Sequence, residues 1–397
     1  MATPPPGVLD GVRVIDLAHP YGQYAGKLLA DLGADVIKVE PWEGDPGRRV
    51  GPFKGDERGP NRSLFWAYYN SNKRGIAAKL TSGEGQDLLR RLLRTADAVI
   101  HTPQHAPAPV DLAAARKDNP KLVVAALKGF AEGGPYSGYR STPQTVFALS
   151  GIMKSIGPPD GPPEAAPGQV AMDLAAVDVA NGIVCALLSG QGQEVTIVAH
   201  EVLAAEINPR APEQFEDKRY PGSANPQLAP SGAFHTADGQ VTFFINLPNH
   251  WTGLKELLGH PPELEGDEWN SRDKRGANAK FVLEATGKAL AHRQTAEVVS
   301  SGQALHVPCG PINTVDRFAA DPHAAARGFF VDASNPGLGD FKMPGAPYKM
   351  SEAGWALRRS APRLGEDSRE ILTELGYSAA EIESYADREL VRLGQAS

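Results

Sequence analysis

The sequence predicts an α/β protein, with a doubly wound parallel sheet in its first half and a smaller α+β unit after it. Three observations carry this. The segment VRVIDLAHPYGQYAGKLLADLGADVIKVE holds an apolar run over 12–17, a helix-like run over 24–32 closed by Gly33, and a second apolar run over 36–39. Strand, helix and strand in that spacing form a parallel βαβ unit. The pattern recurs as a helix over 84–94 feeding 98–100 and a helix over 111–117 feeding 122–127. Beyond residue 230 it changes to a hairpin followed by helices.

A long apolar helix is expected over 174–188, then the turn SGQGQ, a strand over 194–198 and a helix from about 199 to 207. Between 209 and 230 the chain is polar and rich in Pro, Gly and charge (RAPEQFEDKRYPGSANPQLAP), a linker or active-site loop and a domain boundary. AFHTADGQVTFFIN reads as a hairpin turning at Asp238-Gly239 and entering a helix near His250. The stretch 280–300 reads as helical, and VPCGPIN as a strand interrupted by Pro308 and Pro311. FFVDAS is strand-like, and a C-terminal helical pair falls around 368–375 and 379–393. The expected divisions are a large domain over 1–208, the loop 209–230, a small α+β domain over 231–327 and a final segment over 328–397.

Composition excludes several classes. The 397 residues give room for two or three folding units. With 40 basic against 47 acidic residues the chain has no excess of cations to follow a phosphate backbone, so nucleic acid is not the expected partner. Two cysteines, Cys185 and Cys309, make neither a disulfide framework nor a four-thiolate zinc site, and a reducing cytoplasm fits them. The lead-in MATPPPGVLDG lacks the basic-then-apolar order of a signal peptide. The run 174–188 is broken by Asp178 and Asn181, short of the ~20 apolar residues of a membrane span, so a soluble protein is expected.

Familiar motifs fail. Glu40 ends the second strand where a ribose-binding acid would stand, yet the turn HPYGQYAG lacks the G-x-G-x-x-G spacing. There is no phosphate-binding lysine loop and no G-x-S-x-G elbow. His101 and His105 are four apart, but Pro103 forbids the helix that would align them on a metal, and no metal site is expected.

Two readings fit Asp173, which precedes LAAVDVANGIVCALL. It is either the N-cap of the apolar helix or a carboxylate held at a helix N-terminus in a partly dry site, where it can act as a nucleophile.

The runs GVRVIDLA, LLADLGADVIKVEPWEGDPGR, NSNKRGIAAKL, LKGFAEGGPY, ALSG, the Asp173 helix, YPGSANPQLAPSGAFHTADGQ, VPCGPINTVDRFAADPHAAARG and RLGEDSREILTELGYSAAEI together resemble the class III CoA-transferase family, which includes formyl-CoA transferase, carnitine CoA-transferase and alpha-methylacyl-CoA racemase. The resemblance runs through nearly the whole chain. It implies a Rossmann-like large domain, a smaller domain, a C-terminal segment returning to the large domain, and two chains threaded into an interlocked dimer. A heterodimer with a paralogue is the alternative assembly.

By the resemblance Asp173 is the catalytic aspartate. Its carboxylate attacks the thioester of an acyl-CoA to give an acyl-aspartyl anhydride, and the thiolate returns to give aspartyl-CoA. An acceptor carboxylic acid then takes the CoA, without a tightly bound cofactor. The loop 222–232 is the candidate source of backbone N–H donors for the oxyanion. The positions matching the family's coenzyme A contacts are Pro20, Tyr21, Pro41, Ala78, Thr81, His101, Thr102, Lys128, Gly129 and Phe130, with Arg48, Arg49, Lys73 and Arg74 as cations near the phosphates. The chain departs from the family in HTPQHAPAPVD, where a glycine and a following arginine are absent. Thr142 and Pro248 stand where the racemase branch has its bases, and neither takes up a proton, so transfer is expected over racemisation. The alternatives are a 2-methylacyl-CoA racemase or epimerase, with His250 near Pro248, and a CoA-binding, non-catalytic partner subunit.

Overall fold

Strand alternation decides where the charges of the sheet go. The computed structural model describes residues 6–106, 108–156, 161–206 and 228–394. These fall in two compact units, one drawn from the spans 1–152, 166–209 and 328–397 and the other from 153–165 and 210–327. In the first, β1 (Arg13–Leu17), β2 (Asp35–Pro41), β3 (Arg74–Ala78), β4 (Ala98–His101), β5 (Val123–Lys128) and β6 (Glu194–Val198) lie parallel in the spatial order 3-2-1-4-5-6. That is the order of doubly wound nucleotide-binding sheets, and it reverses between β1 and β4. The parallel α/β sheet expected from the sequence is therefore present. A two-residue strand, Val391–Arg392, adds antiparallel to β3.

Helices α1 (Gln23–Asp31), α2 (Leu64–Tyr69), α3 (Gly83–Arg94), α4 (Leu112–Asp118), α5 (Pro143–Leu149), α6 (Val170–Ser189) and α7 (Ala199–Glu206) complete this part of the chain. Successive strand residues point to opposite faces. Ile15, Leu17, Ile37, Val39, Ile76 and Val99 meet Leu88, Leu89 and Leu92 of α3 in one core. The alternate residues Asp16, Lys38 and Glu40 stand on the other face, fully buried. α6 is long and apolar enough for a membrane span by length and composition. Its Ala175, Ala176, Val179 and Ile183 are fully buried, as in a core helix, and it packs against α1 and β5.

The second unit holds β7 (Gly232–His235), β8 (Gln240–Phe243), α8 (Pro248–Leu257), α9 (Arg272–Ala277), α10 (Ala279–Leu290), α11 (Thr295–Ala304), β9 (Cys309–Pro311), α12 (Val315–Ala319) and α13 (Pro322–Ala326). Its three strands pair antiparallel in the order β7-β8-β9 around Phe234, Phe243, Trp251, Leu254 and Val282. The stretch 280–300 does not form one helix. The Asp238 carboxylate, from the hairpin turn, accepts from Thr295 N at 2.8 Å and Thr295 Oγ1 at 2.7 Å, so α11 starts anew there.

The chain then forms the antiparallel pair β10 (Phe330–Asn335) and β11 (Gly339–Pro344), followed by α14 (Ser368–Glu374), α15 (Ala379–Asp387) and β12, the edge strand Val391–Arg392. Ile371, Leu372, Ile382 and Val391 join the core of the large sheet. The last helix is shorter than its periodicity predicts, because Glu389 takes φ +55° and the chain turns into β12.

Asp16, Lys38, Asp45 and Lys73, all buried, form one network. Lys73 Nζ reaches Asp16 Oδ2 at 2.7 Å, Gln23 O at 2.8 Å and Asn70 Oδ1 at 2.9 Å. Lys38 Nζ lies 3.1 Å from Asp45 and 3.5 Å from Asp16. Asp45 in turn accepts from the Gln23 amide at 2.8 Å and pairs with His19. Burial alone would raise the Asp16 pKa, and the two lysines outweigh it and hold it below the ordinary carboxylate range. Gly26 is required here, since a Cβ would lie 2.5 Å from Asp16 Oδ2. Removing one charge from such a cluster strands the others in a dry interior. Asp16→Asn is therefore expected to cost about 3–5 kcal/mol in urea unfolding. A loss below about 1 kcal/mol, the range of exposed pairs, would contradict that account.

Candidate active site

The carboxyl ends of the strands carry most of the residues singled out in the sequence. After β1 the chain runs through Ala18, His19, Pro20 and Tyr21 to Gly22, which starts α1 at φ +86°. A Cβ on Gly22 would meet Leu127 Cδ2 at 3.1 Å and Thr102 Cγ2 at 3.2 Å, so both conformation and space require glycine. After β4 stands Thr102. Its hydroxyl accepts from His19 N at 2.8 Å and lies 3.1 Å from His19 O, tying the two loops at the point where the strand order reverses. The Tyr21 and His105 rings meet edge to face at 5.0 Å. In open α/β sheets this crevice is where ligands lie.

Pro41 and Ala78 are register partners at the ends of β2 and β3, and Ala78 is covered by Val391 of β12. Thr81 is exposed just beyond. His101 ends β4, and burial followed by the charge of Lys128 pushes its pKa down to about 4, so it is neutral at physiological pH. Lys128 ends β5 and pairs with Glu132. Gly129 and Phe130 follow, Phe130 packing edge to face on Tyr136 at 5.8 Å.

Three of the predicted cations have other partners. Arg48 is 2% exposed and grips Glu40 through two bonds of 2.6 and 2.7 Å, with its guanidinium 3.8 Å from the Trp66 ring. Lys73 is fully buried, and burial lowers its pKa to about 8 against the pull of Asp16. Arg74 begins β3 and so lies at the opposite, amino edge of the sheet, bonded to Asp35, Glu370 and Glu374. The expectation that these three meet phosphates is corrected on those grounds, because buried or remote cations hold the scaffold. Arg49 is exposed, and with Arg58 and Phe53 it borders a cavity of about 360 Å3.

Asp173 lies in the first turn of α6 but is not its N-cap. Gln169 occupies that position, and Asp173 N donates to Gln169 O at 2.9 Å. The carboxylate turns instead to Tyr69, whose hydroxyl donates to Asp173 Oδ2 at 2.6 Å. Burial pushes the Asp173 pKa up to about 6, and the Tyr69 hydrogen bond opposes the rise. Burial, then the charge of Asp173, holds the Tyr69 hydroxyl far above its usual range, so it remains a donor. Tyr69 is set by an aromatic cluster, with Phe65 at 4.3 Å, Tyr68 at 5.3 Å and Tyr24 of α1 at 5.9 Å between ring centroids. Tyr24 stands two residues after Gly22, which links Asp173 to the crevice.

Tyr69 and Tyr24 were not legible as site residues. The run FWAYYN showed aromatic density, but nothing in it says which ring faces a carboxylate 104 positions away. Thr142 caps α5, accepting from Thr145 N at 3.2 Å, and Pro248 starts α8, so neither position offers a base. Among the described residues no group of His, Cys, Asp and Glu is arranged to hold a metal. The loop 209–230 and the candidate oxyanion segment 222–232 lie outside the described residues up to 227.

Comparison with known proteins agrees with this fold. Residues 9–368 match CoA-transferase family III. The succinate–glutarate CoA-transferase of Agrobacterium fabrum is 33% identical over 386 residues, 92% of this chain and 95% of that protein. The subunit BbsE of succinyl-CoA:(R)-benzylsuccinate CoA-transferase from Thauera aromatica is 33% identical over 96% of both chains. A crystal structure of a CAIB/BAIF family protein from Brucella suis superposes with a TM-score of 0.81 at 27% identity, covering 93% of this chain and 99% of that one. The chain belongs to CoA-transferase family III and is an enzyme of that class.

The Asp173 environment has a thermodynamic signature. The unfolded chain releases this proton near 3.8, the ordinary value for an aspartate, and the native protein near 6, so ionising Asp173 removes stability as pH rises through that window. Asp173→Asn is expected to gain melting temperature relative to wild type between pH 4 and 6.5 and to hold a constant difference above it. A difference independent of pH would refute the buried-carboxylate assignment.

Proposed function

We propose that this enzyme moves coenzyme A from an acyl-CoA donor to a small or medium carboxylic acid, with Asp173 as covalent nucleophile. The observation that carries this reading is the Asp173 carboxylate, drawn away from helix capping and partly desolvated. Oδ2 is held by Tyr69, and Oδ1 accepts no hydrogen bond from the described residues. Oδ1 attacks the thioester carbonyl and the C–S bond breaks, giving an acyl-aspartyl anhydride and the CoA thiolate. The thiolate attacks the aspartyl carbon, the anhydride C–O bond breaks, and the donor acid leaves from aspartyl-CoA. The acceptor carboxylate reverses both steps. Thioester and anhydride are close in energy, so the exchange needs no ATP, and the site's main task is to exclude the water that would hydrolyse either intermediate.

The coenzyme lies along the carboxyl edge. From Ala78 to Lys128 the edge crosses four inter-strand steps, ~19 Å at 4.7–4.9 Å each, which suits a long ligand touching Pro20, Tyr21, Pro41, Thr81, His101, Thr102, Gly129 and Phe130. Lys128, Arg49 and Arg58 supply the cations. Val170, Leu174, Val177 and Leu188 form an exposed apolar stripe along α6. In this reading a second copy covers that stripe in an interlocked dimer. The protein works in the cytoplasm and holds no resident cofactor.

Intact-mass analysis after incubation with acyl-CoAs and hydroxylamine tests the proposal. Succinyl-CoA, formyl-CoA and acetyl-CoA make the first panel, since relatives are named for them. The expected product is a hydroxamate at Asp173, absent in Asp173→Ala, with transfer reduced ~10³-fold or more in that variant. Full transfer activity in Asp173→Ala would overturn the reading.

A further inference from the structure

We propose that the Tyr69 hydroxyl is a catalytic oxyanion donor, acting on the aspartyl carbonyl in the steps where CoA or the acceptor acid attacks Asp173. The inference rests on the reading of Asp173 as nucleophile and adds a partner to it. Tyr69 Oη lies 2.6 Å from Asp173 Oδ2. Oδ1 therefore bonds to the acyl group, and Oδ2 becomes the carbonyl oxygen of the anhydride with its donor already in place. When the thiolate adds to the aspartyl carbon, the carbonyl electron pair moves onto Oδ2, where Tyr69 receives it. Collapse re-forms the carbonyl, breaks the bond to the bridging oxygen and releases the donor carboxylate. The acceptor acid meets the same arrangement when it attacks aspartyl-CoA, with the thiolate leaving instead. No proton is transferred, because the phenol stays protonated throughout.

Preorganisation is the physical basis. The ring is fixed on three sides by Phe65, Tyr68 and Tyr24. Ser63 caps α2 by accepting from Trp66 N at 3.0 Å, which sets the helix that presents Tyr69. The hydroxyl thus needs no reorganisation as charge develops. The first attack, on the acyl carbonyl of the donor, places its charge on a different oxygen, which Tyr69 does not contact. The two half-steps therefore depend on Tyr69 differently, and a purely structural role would not separate them.

Tyr69→Phe keeps the ring and removes only the hydroxyl. Rapid-quench mass spectrometry of a single turnover resolves the acylated enzyme from aspartyl-CoA. Expected is anhydride formation within about 3-fold of wild type, aspartyl-CoA formation slowed ~10²-fold, accumulation of the acyl adduct and little change in KM. Equal slowing of both steps would reduce Tyr69 to a positioning residue and overturn the proposal, as would aspartyl-CoA formation at the wild-type rate. Absence of any Asp173 adduct in wild type would instead refute the nucleophile itself. A second measurement on wild type guards against misfolding of the variant. The infrared band of a carbon-13-labelled aspartyl thioester should lie below that of a thioester in an aprotic solvent, and an unshifted band would also overturn the proposal.

Discussion

A single buried carboxylate, Asp16, governs the geometry of this enzyme's working edge. It stands at the inner face of β1 between Lys73 and Lys38, and the first reaches the turn before β3 while the second projects from β2. Asp16 and Lys38 stand within β1 and β2 and Lys73 stands just before β3, so three neighbouring strands are tied together by charge that has no access to water. Asp45 extends the lock to His19 in the loop after β1, and Gln23 and Asn70 close it through side-chain amides. A buried ion cluster of this kind adds little net stability over a well-packed apolar core, but it tolerates few alternative arrangements. Such a fixed edge lets the loops after β1 and β4 hold a defined crevice without a ligand.

The same network employs basic residues that the sequence offered as candidate phosphate contacts. Arg48 and Lys73 are needed to neutralise Glu40 and Asp16, which strand alternation drives inward, and Arg74 clasps acids at the far edge of the sheet. Arg49 and Arg58 by contrast border a cavity, and Lys128, at the end of β5, pairs with the exposed Glu132. Asp173 occupies a contrasting environment. No cation lies on its carboxylate among the described residues, so burial raises its pKa, whereas Asp16 and Asp45, more deeply buried but paired, are held low. Carboxylates in one fold are thus held at opposite ends of their range by their neighbours.

Much of the fold was legible because its signals are local. The opening βαβ unit, the α3 and α4 crossovers and the hairpin at Asp238-Gly239 follow from apolar periodicity and turn chemistry. β3 was not, since RGIAA carries one large apolar residue and is made a strand by its parallel ladder with β2, where Gly75 leaves room for Pro362 2.9 Å from where a Cβ would stand. β12 is two residues long and exists only by pairing with Ala77 and Ala78. Asp173 was visible as a carboxylate at the head of an apolar helix, although spacing alone could not separate cap from nucleophile. The structure removes the cap reading by giving that position to Gln169. Tyr69 was out of reach, because its importance lies in a contact across the fold.

The central claim is that Asp173 exchanges an oxygen with the acids it serves. The most direct test is turnover with an acceptor carboxylic acid labelled with oxygen-18 on both oxygens, followed by peptide mass analysis of the residues around Asp173. If the acceptor attacks aspartyl-CoA and the thiolate then attacks the acyl carbon, the bridging oxygen stays on Asp173, and its peptide gains ~2 Da per exchanged oxygen. An unlabelled Asp173 peptide after many turnovers of demonstrated transfer would contradict the account.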